Sequence, residues 1–300
     1  MRIRGPARLL VLTSVAFALL IGISVWVLGS KLVAPANHRV EMPADFSAQS
    51  VAIPGVGHSI AGWWVDKGAS SPVILLLHAV RADRSTMVSR ARLLTRHGFS
   101  VLLVDLQGHG ETPGEAITFG LRESADVVAA RDWIKHIAPG RKVGVVACSL
   151  GGASVLLAPQ PSGFDAVVLE AVYPRISRAV ENRIRIRLGP LAPILSPLLL
   201  MQLEPRLHIA ASDLEPIRYI GSMGAPVLIA AGSRDEYTTL EESQELFEAA
   251  STPKSLWIVE GARHQDLLAY DKQGYEEHVV GFLRKTLLSS EEEVSDAHSR

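Results

Sequence analysis

The stretch Lys142-Val-Gly-Val-Val-Ala-Cys-Ser-Leu-Gly-Gly152 constrains the fold more than any other part of this chain. Its apolar run, 143–147, reads as a strand buried on both faces, as in a parallel sheet. The run stops at Ser149, hemmed in by small residues, and a short apolar helix is expected to follow. A sharp turn of this kind lifts a serine hydroxyl above the sheet, and its neighbours must be small because the backbone there is strained and crowded. The usual pattern is G-x-S-x-G; here Ala147 takes the first glycine position, where a methyl group is readily accommodated. Taken alone, such a pentapeptide is equally a plain strand–helix junction of small residues.

Two later runs change its meaning. Pro226-Val-Leu-Ile-Ala-Ala231 ends in Gly232-Ser-Arg-Asp235, and Ser255-Leu-Trp-Ile-Val259 ends in Glu260-Gly-Ala-Arg-His264. Asp235 and His264 are each expected just past the carboxyl end of a strand, the edge where open α/β sheets place their chemistry. Serine, acid, histidine is a known chain order of a nucleophile, its orienting acid and its base. Glu236 is the neighbouring alternative to Asp235.

Between these runs strand and helix patterns alternate. Strands are expected at 50–53 and 58–65 as an antiparallel pair, then at 73–78, 101–106, 143–147, 166–170, 226–231 and 255–259. Helices are expected at about 85–97, 121–137 and 275–288, so the fold class is α/β with a mostly parallel sheet and helices on both faces. The rhythm breaks at about 173–223, an insertion with Pro190, Pro193, Pro197 and Pro205 and an apolar block at 188–203.

With Leu75-Leu-Leu-His78 ending one strand and Asp105-Leu-Gln-Gly-His-Gly110 following the next, the stretch 47–287 resembles an α/β-hydrolase. It is most similar to bacterial esterase and lipase-like members described as serine aminopeptidase or lysophospholipase-like. The resemblance implies Ser149 as nucleophile, His264 as general base and acid, and Asp235 as the group orienting His264. It implies an oxyanion hole from the backbone N–H groups of Leu150 and Val80, the latter in a loop where the family often has His-Gly-x. Here that loop reads His78-Ala79-Val80, and Ala79 disfavours a positive φ. It also implies that 173–223 is a lid over Ser149, with Leu198 and Leu200 facing an acyl chain. Arg183, Arg185 and Arg187, just before the apolar block, are expected in solvent or at lipid headgroups.

Several alternatives fail on single residues. Cys148 precedes the serine, so its side chain is expected to turn away from substrate as a packing residue. A dinucleotide fingerprint beginning at Gly108 would need glycine where Pro113 stands. His78 and His109 read as structural. With one cysteine, no internal disulfide or multi-cysteine metal site can form, and the ten histidines show no paired metal-ligand spacing. No metal or cofactor is therefore expected. A net charge of −1 without a basic stripe gives no reason to expect nucleic acid as a partner.

The first 30 residues are of another kind. Twenty residues, 9–28, carry no charge and follow Arg2, Arg4 and Arg8. As a helix they span roughly 30 Å, a bilayer core. A cleavable signal has a shorter apolar core of about 7–15 residues, and Ala34-Pro-Ala36 lies well beyond the run, so an uncleaved single-pass anchor is expected. The excess of leading arginines over Lys31 and Arg39 places the downstream domain on the extracytoplasmic, periplasmic side. Residues 31–46 then read as a linker, 47–288 as the catalytic domain and 289–300 as a polar tail. Because the triad lies downstream, a chain lacking 1–30 is expected to retain activity on short esters. The implied function is hydrolysis of carboxylic esters, small-molecule substrates with lipophilic acyl groups among them. A peptidase or thioesterase with the same triad, or a non-catalytic binding module, stays open, as does the oligomeric state.

Overall fold

The computed structural model describes residues 5–288. The polar tail at 289–300 and the leading Arg2 and Arg4 lie outside the described residues. The apolar runs become an eight-stranded sheet. β1 (Gln49–Pro54) and β2 (Ser59–Val65) form an antiparallel hairpin. β3 (Val73–Leu77), β4 (Ser100–Val104), β5 (Val143–Cys148), β6 (Ala166–Glu170), β7 (Val227–Gly232) and β8 (Lys254–Val259) run parallel. The spatial order is β8-β7-β6-β5-β3-β4-β2-β1. The chain steps from β3 to β4 and then returns to the other side of β3 as β5. The loops leaving β3 and β5 therefore diverge at a topological switch point, where such sheets open a crevice.

Every residue of β3, β4 and β6 is buried, which is why these strands read as unbroken apolar runs. Alternate residues feed two cores. Leu75, Leu77, Val145, Ala147, Val167 and Leu169 pack on one face with α3 (Glu123–Ile137) and α4 (Leu150–Leu157). Ile74, Leu76, Val146 and Val168 pack on the other with α2 (Val88–Arg96) and with the C-terminal helical run. That last run begins at Lys272–Tyr275, earlier than the sequence pattern indicates, and passes through a π-helical turn, Glu276–Val280, into Gly281–Leu287.

The insertion after β6 forms three helices, α5 (Ile176–Leu188), α6 (Ala192–Leu200) and α7 (Leu203–Leu207); only the α5–α6 break falls at a proline, Pro190, while Pro197 lies inside α6. By length and composition alone, Leu9–Val33 and Ile176–Leu207 are both apolar enough to cross a membrane. The second folds back on itself at Gly189–Leu191, so that α5 and α6 pack together.

The N-terminal helix α1 (Gly5–Val33) outlasts the predicted apolar run, and its last turns pack against α6. The stretch read from its prolines as a linker is itself packed. Ala36 and Asn37 pair with His109 and Gly110, and Val40 and Phe46 are buried in the second core.

Candidate active site

Ser149 sits between β5 and α4 at φ 46° and ψ −107°, a conformation that residues with side chains rarely adopt. Its N–H donates to the Glu170 carbonyl at 2.8 Å, and its own carbonyl accepts from Ala153 N–H at 3.0 Å. A Cβ on Gly151 would lie 2.7 Å from Leu77 Cβ and 2.9 Å from His78 O; one on Gly152 would lie 2.2 Å from Val172 Cγ2. Both glycines are thus required by close approach. Ala147 is still an extended residue of β5, paired with Leu77 and Leu169, which is why a methyl group is accepted there.

Asp235 and His264 leave adjacent parallel strands, β7 and β8, and their loops are laced together. Arg234 N–H donates to Ala262 O at 2.9 Å, and Gly261 N–H donates to Ser233 Oγ at 2.8 Å. Gly232 makes this possible, since a Cβ there would lie 2.4 Å from Ala262 O. The Asp235 carboxylate is buried. One oxygen, Oδ1, accepts Tyr237 N–H at 2.8 Å and Thr238 N–H at 2.9 Å, while Oδ2 lies 2.7 Å from His264 Nδ1. Glu236 is exposed and turned elsewhere.

The loop after β3 lies against the elbow, with Gly151 N–H donating to His78 O at 3.2 Å. His78 is fully buried and braces this loop, with Nδ1 on Ala79 O at 2.8 Å and Nε2 accepting Leu106 N–H at 3.0 Å. Burial pushes its pKa down to about 4, and that of the neighbouring His109, 5.0 Å away ring to ring, also to about 4. Both are neutral structural groups. Ala79 does not need a positive φ; that conformation falls on Arg81, at φ 59°. Among the described residues, neither Val80 N–H nor Leu150 N–H has an acceptor.

Two cavities meet at Ser149. A smaller one of about 210 Å³ is lined by Ser149, His264 and Cys148, by the charged groups of Arg90, Glu170 and Asp266, and by apolar residues that include Met87 and Leu267. An apolar one of about 370 Å³ is lined by Ser149, Leu150, Val80 and a wall of lid side chains. The structure thus gathers Ser149 with His264, His264 with Asp235, and Ser149 with Val80 and Leu150.

Some expectations need correction. Leu198 is 40% exposed on the outer surface, and Leu200 packs against the main core. The apolar side chains of the insertion that line the larger cavity are Ile176, Ala179, Val180, Ile184 and Leu188 of α5 and Leu199 of α6, with Arg187 beside them. Arg183 is not solvated with Arg185; it lines the cavity and lies over the Tyr237 ring at 5.3 Å. Cys148 does not turn wholly away but lines the smaller cavity, its thiol 3.5 Å from Glu170 Oε2. Burial pushes that thiol well above its ordinary pKa, so it is no thiolate nucleophile.

The sequence reading missed the charged groups of the smaller cavity. Arg90 donates twice to Glu170, at 3.0 and 2.6 Å, and pairs with Asp266 at 2.9 Å, while Tyr275 OH donates to Glu170 at 2.7 Å. Glu170, an acidic residue closing a buried apolar strand, was the available signal. Arg90 lies mid-helix and gave none. Among the described residues no cluster of ligands could hold a metal ion.

Comparison with known proteins places this geometry. The model of the alpha/beta hydrolase family matches residues 51–277. The uncharacterized protein Rv2307c of Mycobacterium tuberculosis is 30% identical over 77% of this chain and 76% of its own length. Human protein ABHD12B is 28% identical over 60% of this chain and 50% of its own. Among solved structures, the esterase Pf2001 of Pyrococcus furiosus superposes with a TM-score of 0.69 at 22% identity, covering 86% of this chain and 98% of that one. An acylaminoacyl peptidase of Pyrococcus horikoshii superposes at 0.62 and 16% identity, over 82% of this chain and 43% of that one.

Proposed function

The chain belongs to the alpha/beta hydrolase family, and from that premise we propose that it is a membrane-anchored serine hydrolase of carboxylic esters with lipophilic acyl groups. The observation that carries this reading is the juxtaposition of Ser149 and His264 where a larger apolar cavity meets a smaller one that holds the Arg90–Glu170 pair, with Asp235 2.7 Å behind the imidazole.

In this reading His264 takes the Ser149 proton as Oγ attacks the ester carbonyl carbon, and Asp235 stabilises the imidazolium. The carbonyl oxygen becomes an oxyanion, received by the N–H groups of Leu150 and Val80. Each such donor lowers a barrier by about 3–4 kcal/mol. His264 returns the proton to the departing alkoxide, which leaves as the alcohol. Water then repeats the sequence on the acyl-serine and releases the acid.

His264 lines the smaller cavity and not the larger apolar one. The leaving oxygen must lie within reach of that imidazole, so the alcohol occupies the smaller cavity. The acyl chain takes the apolar one, beside the oxyanion donors. At about 25 cal/mol per Å² of apolar surface removed from water, longer chains gain affinity until the cavity is full. The esterase title of the Pyrococcus furiosus structure is in keeping with ester chemistry.

Membrane attachment rests on Leu9–Val33, with a mean hydropathy of 2.4. The outer face of the lid supports it: Leu191, Ile194, Leu198 and Met201 recur at helical spacing and are 50%, 65%, 40% and 72% exposed, with no charge among them. An extracytoplasmic domain is supported by the arginines that precede the apolar run 9–28 in the sequence.

The test is labelling by a fluorophosphonate together with a panel of esters, thioesters and amides. Ser149→Ala should abolish labelling and turnover while unfolding at the temperature of the parent. Cys148→Ala should retain turnover. The reverse pattern would move the nucleophile to the cysteine, and turnover of amides alone would replace the ester reading with a peptidase.

A further inference from the structure

The apolar cavity beside Ser149 is closed on one side by residues that precede the hydrolase fold altogether. Leu28 and Leu32, one helical turn apart on α1, line it opposite Leu199 and beside Val80 and Phe119.

The contact that brings them there is built on both sides. Gly29 is buried, and a Cβ on it would lie 2.2 Å from Gln202 Oε1, so a larger residue there would have to displace that side chain. Gln202 Nε2 donates to Val25 O at 3.1 Å. Arg206 donates to Ser30 Oγ at 2.8 Å and to Trp26 O at 2.6 Å, with its guanidinium 3.8 Å from the centre of the Trp26 ring. From the hydrolase side, Ile117 N–H donates to Val33 O at 2.8 Å. Arg81 donates to Ala34 O at 3.2 Å and also to Lys31 O. The carbonyls that a helix leaves unpaired at its C-terminus thus find donors, two of them from an arginine well placed against the negative end of the dipole. Arg81 directly follows Val80, so the clasp on the anchor and the candidate oxyanion donor share one loop. Its φ of 59° is one that a residue with a side chain seldom keeps unless held.

We propose that the last two turns of the anchor helix are a wall of the acyl site, so that the anchor takes part in setting the acyl chain length the enzyme accepts. This rests on the ester-hydrolase reading above. It adds to the sequence-based expectation that a chain lacking residues 1–30 retains activity on short esters: such a chain would lose its discrimination among longer ones. Cutting there removes Leu28 and Gly29 and leaves the cavity open on one side. It also gives the site a definite place: a cavity walled by a membrane-spanning helix lies where the acyl chains of lipids are concentrated.

The experiment uses the full chain in detergent micelles, with Leu28→Trp, Leu32→Trp and Leu32→Ala compared against Leu20→Trp, a change on the same helix but away from the cavity. For each, kcat/KM is measured on p-nitrophenyl esters from acetyl to dodecanoyl, and fluorophosphonate labelling counts the competent sites. A buried methylene contributes about fourfold to affinity, so an indole that displaces two or three methylenes should lower the octanoyl-to-acetyl ratio by about 15- to 60-fold. Leu32→Ala should move the preferred chain length upward, a change in the opposite direction that a folding defect does not produce. Leu20→Trp should leave the ratio as it was. If Leu28→Trp, Leu32→Trp and Leu32→Ala all keep the Leu20→Trp profile, α1 is not part of the acyl site. If the unmodified chain neither labels nor turns over esters, it is the underlying hydrolase reading that fails.

Discussion

Replacing Asp235 by asparagine should reverse the tautomer of His264, and the structure says why. Oδ1 of Asp235 accepts two backbone N–H groups, from Tyr237 at 2.8 Å and Thr238 at 2.9 Å. An asparagine there must keep its carbonyl oxygen on those donors, because its NH₂ would leave both N–H groups facing another donor. Each unsatisfied buried group costs about 1–3 kcal/mol. The NH₂ is therefore turned toward His264, where Oδ2 lies 2.7 Å from Nδ1 in the parent. Nδ1 must then accept, and the ring proton moves to Nε2, the nitrogen that should receive the proton of Ser149. In the general serine triad this reversal costs about 10⁴ in kcat, or about 5.4 kcal/mol of barrier. Volume and backbone hydrogen bonds are kept, so thermal unfolding should shift little. The assay is kcat on a short soluble ester at neutral pH, normalised to folded protein, beside Glu236→Gln, which should stay within a few-fold of the parent. Asp235→Asn turning over within tenfold of the parent, or Glu236→Gln losing as much, would refute the assignment of the acid.

Two further outcomes follow from the same geometry. Gly151→Ala should lower stability by about 1–3 kcal/mol through overpacking against Leu77 and His78, and should lower kcat with it, as read by urea unfolding and ester turnover; an unchanged midpoint would contradict the close approach at the elbow. His78 and His109 have folded-state pKa values of about 4, below the unfolded value near 6.5, so their contribution is intact above pH 6.5 and is lost as pH falls toward 4. Between those limits the unfolded chain binds up to two more protons on them, a slope approaching about 2.7 kcal/mol per pH unit, and His109→Gln should remove about half of it in urea titrations at pH 7.5 and 5.

The candidate site was legible in the sequence because it depends on local backbone. A strand that stops at a serine among small residues, and two strands that end in Asp235 and His264, are one-dimensional patterns. A parallel sheet whose strands are buried on both faces writes them as apolar runs, and their carboxyl ends mark where loops must carry function. Of the prolines in 188–203, Pro190 marks the break between α5 and α6, while Pro197 is carried within α6.

Position across the sheet was another matter. Asp235 and Glu236 are adjacent in the chain, and only the lacing of the β7 and β8 loops through Arg234, Ser233 and Gly261 decides which carboxylate meets the imidazole. The lid was visible as an apolar block, but which of its leucines faces inward depends on the rotation of α6 against α5 and α1, fixed by packing partners far away in sequence. Arg90 and Glu170, 80 residues apart, are joined only by folding. The largest difference lies at the N-terminus. Hydropathy alone marked a segment able to cross a membrane, because transfer into lipid depends on composition and length. That its last turns also wall the cavity at Ser149 rests on Gly29, Gln202, Arg206 and Arg81 meeting in space, a coincidence of distant residues that tertiary packing alone creates.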